Sequence, residues 1–472
     1  QPAYPWGRLL DISSELLQLS DPLEKALSDF TDHTDVNELI NSVNEVLTAF
    51  TEALVISIVQ PLLDSQAFLA KIKAIGAAKA LRFHGYRDIC VRLLTGEQLL
   101  LRAPYFIKAR PKRRCKGKRR KTGGHLALAY LGFIDRVSIR LASVAAQLAL
   151  LCPSFEIARQ SLQHHGIQLG VKTIQRICRI TGEKAMGQRD AIALDEHERV
   201  DGRVVLVCAD GGRLRERKPK RGRRQTGQKR QGYHTDWREP IQIVIQCLDA
   251  DGRKADDFLP IYDATMGKID KAFELIEAYL RRLGIVEAEQ VIFCADGARS
   301  NWKRFGPLAK KLNLTGHFEV IDYTHAKQNL LQITEALPQK MRAAKKAQIS
   351  KQWTDLLWNG DLHEIHRQIA ELITSKQKRK KALSKFKSYF LDNYHRMQYA
   401  GFRYFNAATG SGCVESAIRR VINLRLKSPG IFWKRQTAEI MLFLRSTLLC
   451  GRWKIMLKNL LADNRGQFEC CN

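Results

Sequence analysis

Two short segments of the chain repeat the same order of residue types, and each ends in a carboxylate. Val204–Ala209 (VVLVCA) leads into Asp210, and Val291–Ala295 (VIFCA) leads into Asp296. In both places a glycine directly follows the aspartate, and an arginine is the third residue after the aspartate. A continuous run of β-branched and apolar residues is typical of a strand buried on both faces. Asp-Gly alone is also a common hairpin turn, but a turn signal has no reason to repeat its flanks. We therefore expect both strands to end at one edge of a sheet and to bring the two aspartates together.

A third carboxylate with a suitable setting is Glu415. Gly410-Ser411-Gly412 precedes a predicted helix that begins near Cys413, with Ser411 available as its cap. On a wheel of about 100° per residue, Glu415 shares one face with Arg419 and Arg420. The apolar residues of the other face are Val414, Ala417, Ile418, Val421, Ile422 and Leu424. The alternative is an exposed Glu–Arg pair at i,i+4, worth a few tenths of a kcal/mol.

Three carboxylates in a basic chain indicate a particular chemistry. Mg²⁺ prefers hard oxygen ligands and keeps several waters, so a few carboxylates and a substrate phosphate form a usable site. Two such ions about 4 Å apart can activate the attacking oxygen and stabilise the leaving one in an in-line displacement. This pattern favours phosphoryl transfer on DNA with two Mg²⁺ or Mn²⁺ ions.

Composition points to the same partner. The 472 residues include 78 Lys and Arg against 48 Asp and Glu, a formal net charge of +30, which suits a phosphate-rich polymer. No membrane partner is expected, because the longest apolar stretch, Ala53–Leu63, is too short to span a bilayer and no secretory signal precedes it. Eleven cysteines without a C-x-x-C pair argue against a zinc ribbon or a disulfide scaffold and favour a reducing, cytoplasmic compartment.

The elements that must position the carboxylates follow from hydropathy. Ile241–Leu248 and Asp256–Ile261 read as two further strands, followed by a helix over about 269–283. A fifth strand, Phe318–Ile321, ends at Asp322. The predicted order is β-β-β-α-β-α-β, with the first carboxylate on strand one and the second on strand four.

The region upstream of this sheet carries little chemistry. Residues from about 10 to 80 have helical spacing, and Ile89–Leu94 and Leu99–Ala103 are short β-like runs. Lys108–Lys121 is a run of like charges, predicted to be a loop or arm that contacts DNA phosphates or, alternatively, a solvated linker.

A helix-turn-helix pattern follows. Ser154 can cap a helix that extends through Gln163, and a second helix runs from Val171 to about Ile180. The amide and basic edge of the second helix suits a recognition helix, although two packed helices with a solvated basic face would look the same. The residues of this edge are Lys172, Gln175, Arg176 and Arg179.

A second basic stretch, Arg213–Arg230, comes directly after the first aspartate. Ten of its 18 residues are Lys or Arg, and Pro219, Gly222 and Gly227 argue against a helix. We predict a mobile cationic loop that grips DNA phosphates beside the site. The candidate DNA contacts in and near the site are Arg213, Arg217, Lys218, Arg221, Arg223, Arg224, Arg419 and Arg420.

One series of motifs is more specific than any of these patterns. ADGGR, WREP, DGR, PIYDAT, CADGAR, DYTHA and GSGCVESAIRRVINLRLKSPGIFW resemble the RNase H-like DDE transposases of bacterial insertion sequences, of the ISKra type, over roughly residues 80–455. The resemblance implies that Asp210, Asp296 and Glu415 are the metal ligands and that His325, in Asp322-x-x-His325, contacts a scissile phosphate. A structural hydrogen bond is the alternative role for His325.

The same resemblance implies a helical insertion between Leu330 and Ala400. Trp353 and Trp358 in this stretch fit core packing better than stacking on an unpaired base. Two details differ from the pattern or compete with it: Arg299-Ser300-Asn301 separates Asp-Gly-Ala from Trp302, and Glu439 is a spare candidate for the third ligand.

The predicted fold is a multidomain α and α/β protein. It has an N-terminal helical and helix-turn-helix DNA-binding region and an RNase H-like mixed α/β catalytic domain interrupted by an all-α insertion. The predicted segments are a helical bundle or dimerisation region (1–80), a β-hairpin and basic arm (81–125), a helix-turn-helix domain (126–195), the first part of the catalytic domain (196–330), the insertion (331–402) and the last part of the catalytic domain (403–472).

The predicted function is that of a transposase that binds the ends of its mobile element and cleaves and joins DNA, acting as a homodimer or higher oligomer on end repeats and target DNA. A structure-selective nuclease or resolvase of the same fold would share the carboxylates but would not need the helix-turn-helix. A transposase-derived DNA-binding regulator requires one of the three carboxylates to be lost. A thiol enzyme based on Cys413 is least favoured, because no His is positioned by sequence to activate it.

Overall fold

The computed structural model describes residues 36–94, 98–108, 123–223, 227 and 231–467, with some side chains before residue 54 left out. Most of the basic run Lys108–Lys121 and Arg224 lie outside the described residues. The described residues form two compact units: one extends to Thr181 and includes the residues from Leu457 onward, and the other spans Gly182–Met456.

The first unit combines helices with a four-stranded sheet of order β2-β1-β4-β3. Its elements are α1 (Val36–Asp64), α2 (Gln66–Ala78), β1 (Leu81–Arg92), β2 (Gln98–Lys108), α3 (Leu126–Tyr130), β3 (Phe133–Ile134), β4 (Val137–Ser138), α4 (Ile139–Leu151), α5 (Phe155–His164), most of α6 (Val171–Ala185) and most of α16 (Trp453–Arg465). Strands β1 and β2 pair antiparallel and are longer than the strands predicted from the sequence. Polar residues at their outward positions obscure the alternation of buried and exposed residues that marks a strand.

The predicted pair of helices before residue 186 is present as α5 and α6. The Ser154 hydroxyl accepts a hydrogen bond from the Ile157 amide at 3.1 Å and caps α5. Helix α6 buries Ile174, Ile177 and Cys178, as its periodicity predicts, but it continues to Ala185 rather than ending near Ile180.

The second unit is built on a mixed five-stranded sheet of order β11-β10-β5-β8-β9, in which β11, β10 and β5 are parallel. Strand β8 runs antiparallel to both of its neighbours, β5 and β9, so β9 has the same direction as β5. Its strands and the helices between them are β5 (Val204–Gly211), β6 (Leu214–Pro219), β7 (Tyr233–Arg238), β8 (Ile241–Leu248), β9 (Ile261–Thr265), α7 (Ile269–Arg282), β10 (Gln290–Ala295), α8 (Arg299–Lys311) and β11 (His317–Ile321). The five strands of the sheet and their helices follow the predicted order β-β-β-α-β-α-β.

One of these strands was placed too early in the sequence. The strand predicted over Asp256–Ile261 is observed as β9, which begins only at Ile261. Pro260, just before this edge strand, has no N–H to donate to the ladder with β8, and its carbonyl accepts from the Arg452 guanidinium at 2.9 Å. The preceding residues are therefore held by an arginine rather than by the sheet.

The mobile loop predicted over Arg213–Arg230 was also partly wrong. Residues 214–219 form β6, which pairs antiparallel with β7 in a separate two-stranded sheet. Buried Leu214 and Glu216 alternate with more exposed Arg215 and Arg217, so the chain has a strand period that the charge density obscured.

The stretch between Leu330 and Ala400 is helical, as predicted, and the helices begin directly after β11. Its helices are α9 (Tyr323–Thr334), α10 (Ala343–Asn359), α11 (Leu362–Leu372), α12 (Lys376–Tyr389) and α13 (Tyr399–Tyr404), with a 3₁₀ segment at Leu391–Arg396. Trp353 is fully buried and donates to the Gln368 side chain at 2.8 Å. Trp358 packs against Tyr323 and Tyr399. Core packing is therefore the role of Trp353.

The C-terminal part of the second unit contains α14 (Gly412–Ile418), a π-helical segment (Arg419–Asn423) and α15 (Arg435–Leu449). Two short 3₁₀ segments, Met186–Gln188 and Ile285–Glu287, complete its elements.

Within the described ranges, no single helix has both the length and the apolarity needed to cross a bilayer. The bent pair Leu54–Asp64 and Gln66–Ala78 meets those criteria only when its two helices, 69° apart, are taken together.

Candidate active site

The sheet itself brings the two aspartates together. Strands β5 and β10 are parallel neighbours, and Cys208 is in register with Cys294. Asp210 and Asp296 each lie two residues further on, at the carboxyl ends of strands about 4.8 Å apart. Residues two apart project to the same face of a strand, so both aspartates lie above the cysteine pair, and the repeated sequence corresponds to repeated geometry.

The glycines after both aspartates allow neighbouring elements to approach closely. A Cβ at Gly212 would lie 2.4 Å from Ile422 Cδ1, in the π-helical segment, and a Cβ at Gly297 would lie 2.2 Å from the Tyr389 ring. Such contacts are closer than any side chain permits, so glycine at these positions serves packing rather than a turn.

Helix α14 carries the third carboxylate to the same face. Cys413 Sγ lies 3.6 Å from Cys208 Sγ, so the start of α14 packs directly on β5. Glu415 lies two residues beyond Cys413, and its side chain is about half exposed. Each of the three carboxylates thus follows, two residues later, a cysteine of the apolar layer beneath the site.

The electrostatics of Asp210 reflect this convergence. Burial raises the pKa of the Asp210 carboxyl, and the charges of Asp296 and Glu415 raise it further. The Gly211 amide, which donates to Asp210 Oδ1 at 2.6 Å, and His325 lower that pKa. The predicted residues Asp296, Glu415 and His325 therefore all lie within electrostatic reach of Asp210.

His325 and Asp322 connect α9 to α14. His325 Nε2 lies 3.1 Å from Glu415 Oε1. Asp322 caps α9 by accepting from the His325 amide at 2.8 Å, and it accepts from the Ser411 hydroxyl at 2.9 Å. Ser411 therefore does not cap α14 through its side chain, contrary to the sequence prediction, because its hydroxyl is turned to Asp322.

Asp322, His325 and Glu415 also form a group whose ligand atoms lie within 4.8 Å of one another. Asp322 is buried, and both of its oxygens accept hydrogen bonds that hold the chain. Asp210 and Asp296 differ, because each has one oxygen without a hydrogen bond among the described residues. Asp322 therefore holds α9 and the start of α14 in place, whereas each of the two aspartates retains one oxygen that no described residue engages.

Helix α14 does not continue regularly to Leu424 as predicted. It passes after Ile418 into the π-helical segment, and Leu424 is exposed rather than on the buried side. The extra residue in the turn changes the direction of the following side chains. Arg419 is exposed, whereas Arg420 is half-buried and donates to the Tyr262 hydroxyl at 2.7 Å.

Two residues beside Asp296 were not identified from the sequence. The Asn301 amide nitrogen lies 3.4 Å from both Asp296 Oδ1 and the Ala209 carbonyl, so it bridges the ends of β10 and β5. Tyr389 of α12 lies beside Gly297; burial, followed by the charge of Asp296, raises its pKa to about 12. The only signal for Asn301 was its place in the first turn after the second Asp-Gly.

Glu439, the spare ligand candidate, lies elsewhere in the second unit. Its carboxylate is bound by Arg189 and by the Thr265 hydroxyl, beside β9, two strands from β5. The structure does not bring it to the two aspartates.

The candidate DNA contacts on α6 are differently accessible. Lys172, Gln175 and Arg179 are exposed, as the helical wheel predicts. Arg176 is half-buried and forms an ion pair with Asp135 at 3.0 Å, so contact with DNA would require that pair to exchange.

The candidate DNA contacts on the hairpin β6–β7 also differ in how accessible they are. Arg213, Arg221 and Arg223 are exposed. Arg217 lies over the Tyr233 ring, and Lys218 pairs with Asp236 at 3.1 Å. Both basic side chains are therefore held by the hairpin instead of extending from a mobile loop.

No protein-family model matches the chain, and no curated protein does. Among solved structures, the chain is similar to the Drosophila P element transposase strand transfer complex, with 12% identity and a TM-score of 0.26, over 68% of this chain and 80% of that one. A TM-score of this size does not establish a common fold.

Proposed function

We propose that the chain is a DNA transposase, which cleaves DNA strands and joins them to a target by metal-dependent phosphoryl transfer. The observation that carries the proposal is the convergence of Asp210, Asp296 and Glu415 at one edge of a mixed sheet. In this proposal the sheet and its helices form an RNase H-like catalytic domain, which includes most of α9, and residues 331–402, with α10, α11 and α12, are its all-α insertion.

The residues present fit divalent cations. The three side chains offer hard oxygen atoms, and two of the carboxylates retain an oxygen that no residue in the described ranges engages. Burial, and then the charges of Asp296 and Glu415, raise the pKa of Asp210, so a cation would relieve a cost already present. When bound, Mg²⁺ or Mn²⁺ would activate the attacking oxygen and neutralise charge on the scissile phosphate.

The chain's own residues position these ligands. Asn301 holds the Asp296 carboxylate, and the Asp322 cap fixes the first turn of α9 and the start of α14. His325 restrains Glu415 and, at about a third exposed, is accessible to a substrate phosphate. Basic side chains around an acidic centre retain the polyanion while the carboxylates create the cation site.

The helix pair α5–α6 is proposed to bind the ends of the element. Lys172, Gln175 and Arg179 present basic and amide groups on one exposed edge of α6, the arrangement that a recognition helix uses on base edges and phosphates. Joining requires two DNA ends in one complex, so we propose that two or more copies of the chain act together.

The test uses DNA that flanks the coding sequence, labelled at one strand and incubated with the full chain and Mg²⁺ or Mn²⁺. The wild-type chain should nick this DNA and join it to a target duplex, whereas Asp210→Asn, Asp296→Asn and Glu415→Gln should lose both activities. Glu274→Gln is the matched control, because Glu274 is an exposed carboxylate paired with Lys271 on α7. Calorimetric titration with Mn²⁺ should show binding to the wild-type and control chains and weakened binding to the three variants.

Other results would change the assignment. Cleavage without joining on any target would favour a structure-selective nuclease. Sequence-specific binding without metal-dependent cleavage would favour a DNA-binding regulator. Full cleavage by Glu415→Gln would show that the third ligand is wrong.

A further inference from the structure

The hairpin β6–β7 is rigidly held beside the site. The Arg217 amide donates to the Trp433 carbonyl at 2.7 Å, and the Trp433 amide donates to the Arg215 carbonyl at 2.9 Å. Glu216 is buried and accepts from Arg238 at 2.7 Å. A surface anchored by backbone pairing and a buried ion pair can present side chains in a fixed arrangement.

The two faces of this hairpin have different chemistry. The register pairs Arg215 with Trp237 and Pro219 with Tyr233, which places these four side chains on one face. Trp237 is 56% exposed and Tyr233 38% exposed. The hairpin's carboxylates, Glu216 and Asp236, are on the opposite face.

The outward face combines aromatic rings with cations. The Arg217 guanidinium lies 4.1 Å from the centroid of the Tyr233 ring, and that of Arg215 lies 5.6 Å from the centroid of Trp237. Because the carboxylates on the other face are paired with Arg238 and Lys218, the negative charge is compensated there. The outward face is therefore cationic as well as aromatic.

We propose that this outward face binds single-stranded DNA, with an unpaired base stacked on Trp237 and the adjoining phosphates held by Arg215 and Arg217. A base presents its ring face only when it is unpaired, and every base has one, so a rigid ring beside cations suits such a strand whatever its sequence. Charge complementarity favours this occupant over a protein surface, because the chain carries +30.

The position of Trp237 places such a base near the carboxylates. Trp237 pairs with Arg215, which is five residues from Asp210 along the chain. Five residues span at most about 18 Å. The inference rests on the proposed function for its relevance to DNA cleavage, and it identifies the substrate there as DNA with unpaired bases close to the scissile phosphate.

The test measures DNA binding in EDTA, so that the carboxylate site plays no part. The probes are an oligothymidylate, a blunt duplex of equal length, and a duplex with a central single-stranded gap that contains 2-aminopurine. The full chain is compared with Trp237→Ala, Trp237→Phe and the control Tyr404→Ala, an exposed aromatic residue of α13. Fluorescence anisotropy gives the affinity, 2-aminopurine emission reports stacking, and thermal melting checks the fold.

We expect Trp237→Ala to weaken binding of the single-stranded and gapped probes by about 5- to 150-fold, the range measured when a stacked ring is removed. The 2-aminopurine quenching should disappear, duplex binding should change less than 2-fold, and Trp237→Phe should retain most of the affinity. Arg217→Ala should lower the slope of log affinity against log salt, whereas Trp237→Ala should leave it unchanged.

Three outcomes would overturn the proposal. One is unchanged binding of all probes by Trp237→Ala, and another is equal losses on single-stranded and duplex DNA. The third is loss of self-association in sedimentation with DNA binding intact, which would make this face a protein interface. Failure of the proposed function would instead appear as wild-type binding without metal-dependent cleavage.

Discussion

Replacing Asp210 with asparagine should stabilise the metal-free protein while removing its activity. In most proteins, loss of a half-buried polar contact lowers stability, so the expected sign is diagnostic. Asp210 lies beside Asp296 on the neighbouring strand, and its pKa is raised by burial and by the other carboxylates. Ionisation of Asp210 therefore destabilises the folded state, so it lowers the free energy of unfolding.

The size of this cost follows from the geometry. Two carboxylates about 5–7 Å apart at an effective dielectric constant of about 20 repel by roughly 2–3 kcal/mol. Asparagine keeps an oxygen to accept from the Gly211 amide, but the hydrogen bond loses its charge assistance, about 1 kcal/mol. The net gain is about 1–2 kcal/mol, or roughly 2–8 °C in the melting temperature of the second unit.

The stability difference between Asp210→Asn and the wild-type protein should depend on pH with a definite sign. Because the folded-state pKa of Asp210 lies above its unfolded value, the protonated carboxyl costs nothing at low pH, and stability is lost as pH rises through the folded-state pKa. The advantage of Asp210→Asn should therefore be full at pH 8 and absent below the unfolded-state pKa of about 3.9.

Differential scanning calorimetry in EDTA, and again with Mg²⁺, tests the argument. Asp256→Asn is the control, because Asp256 is exposed and removing a negative charge from a chain of +30 should have little effect or destabilise slightly. Saturating Mg²⁺ should reverse the order, since only the wild-type site binds it tightly. A melting temperature for Asp210→Asn at or below that of Asp256→Asn in EDTA would refute the proximity of the carboxylates.

Three further predictions concern packing, the buried ion pair and DNA contact. Gly212→Ala should cost about 1–3 kcal/mol, and Ile422→Val, which removes the clashing Cδ1, should recover about 1 kcal/mol in a double-mutant cycle measured by urea unfolding. Glu439→Gln should destabilise the fold by about 1.5–3 kcal/mol in the same assay, because the nearly buried Arg189 loses one of its two carboxylate partners and keeps Asp263; an unchanged midpoint would contradict this. Lys172→Gln should lower the slope of log affinity against log salt by about one on end DNA in anisotropy titrations, and an unchanged slope would remove Lys172 from the interface.

The sequence predicted the centre of the sheet because that part of the chain is locally consistent. Continuous β-branched runs before Asp210 and Asp296 require buried strands, and strands of that type pair in parallel with their carboxyl ends at one edge. The observed register of Cys208 with Cys294 realises this expectation. Glu415 was identified through resemblance and a helical wheel, and its proximity depends on contacts that are distant in sequence.

Features that depend on such distant contacts could not be predicted. The Ser411 hydroxyl bonds to Asp322, 89 residues away, instead of capping its own helix. The strand period of β6 is concealed because arginine occupies its outward positions, so charge density indicated a loop. The exposure of the Trp237 ring depends on the pairing of β7 with β6, so it could not be predicted from the sequence.

Besides the polar contacts of Asn301, Asp322 and His325, uncharged contacts beneath and beside the three carboxylates hold them in position. Ionised, these groups repel one another and cannot assemble a site by themselves. The Cys208–Cys413 contact holds α14 on β5, and Gly212 allows the segment after Glu415 to pass within van der Waals contact of the strand that ends in Asp210. Close apolar packing thus holds the repulsive charges in place, and in the proposed function it would preorganise the metal site at the expense of the protein's own stability.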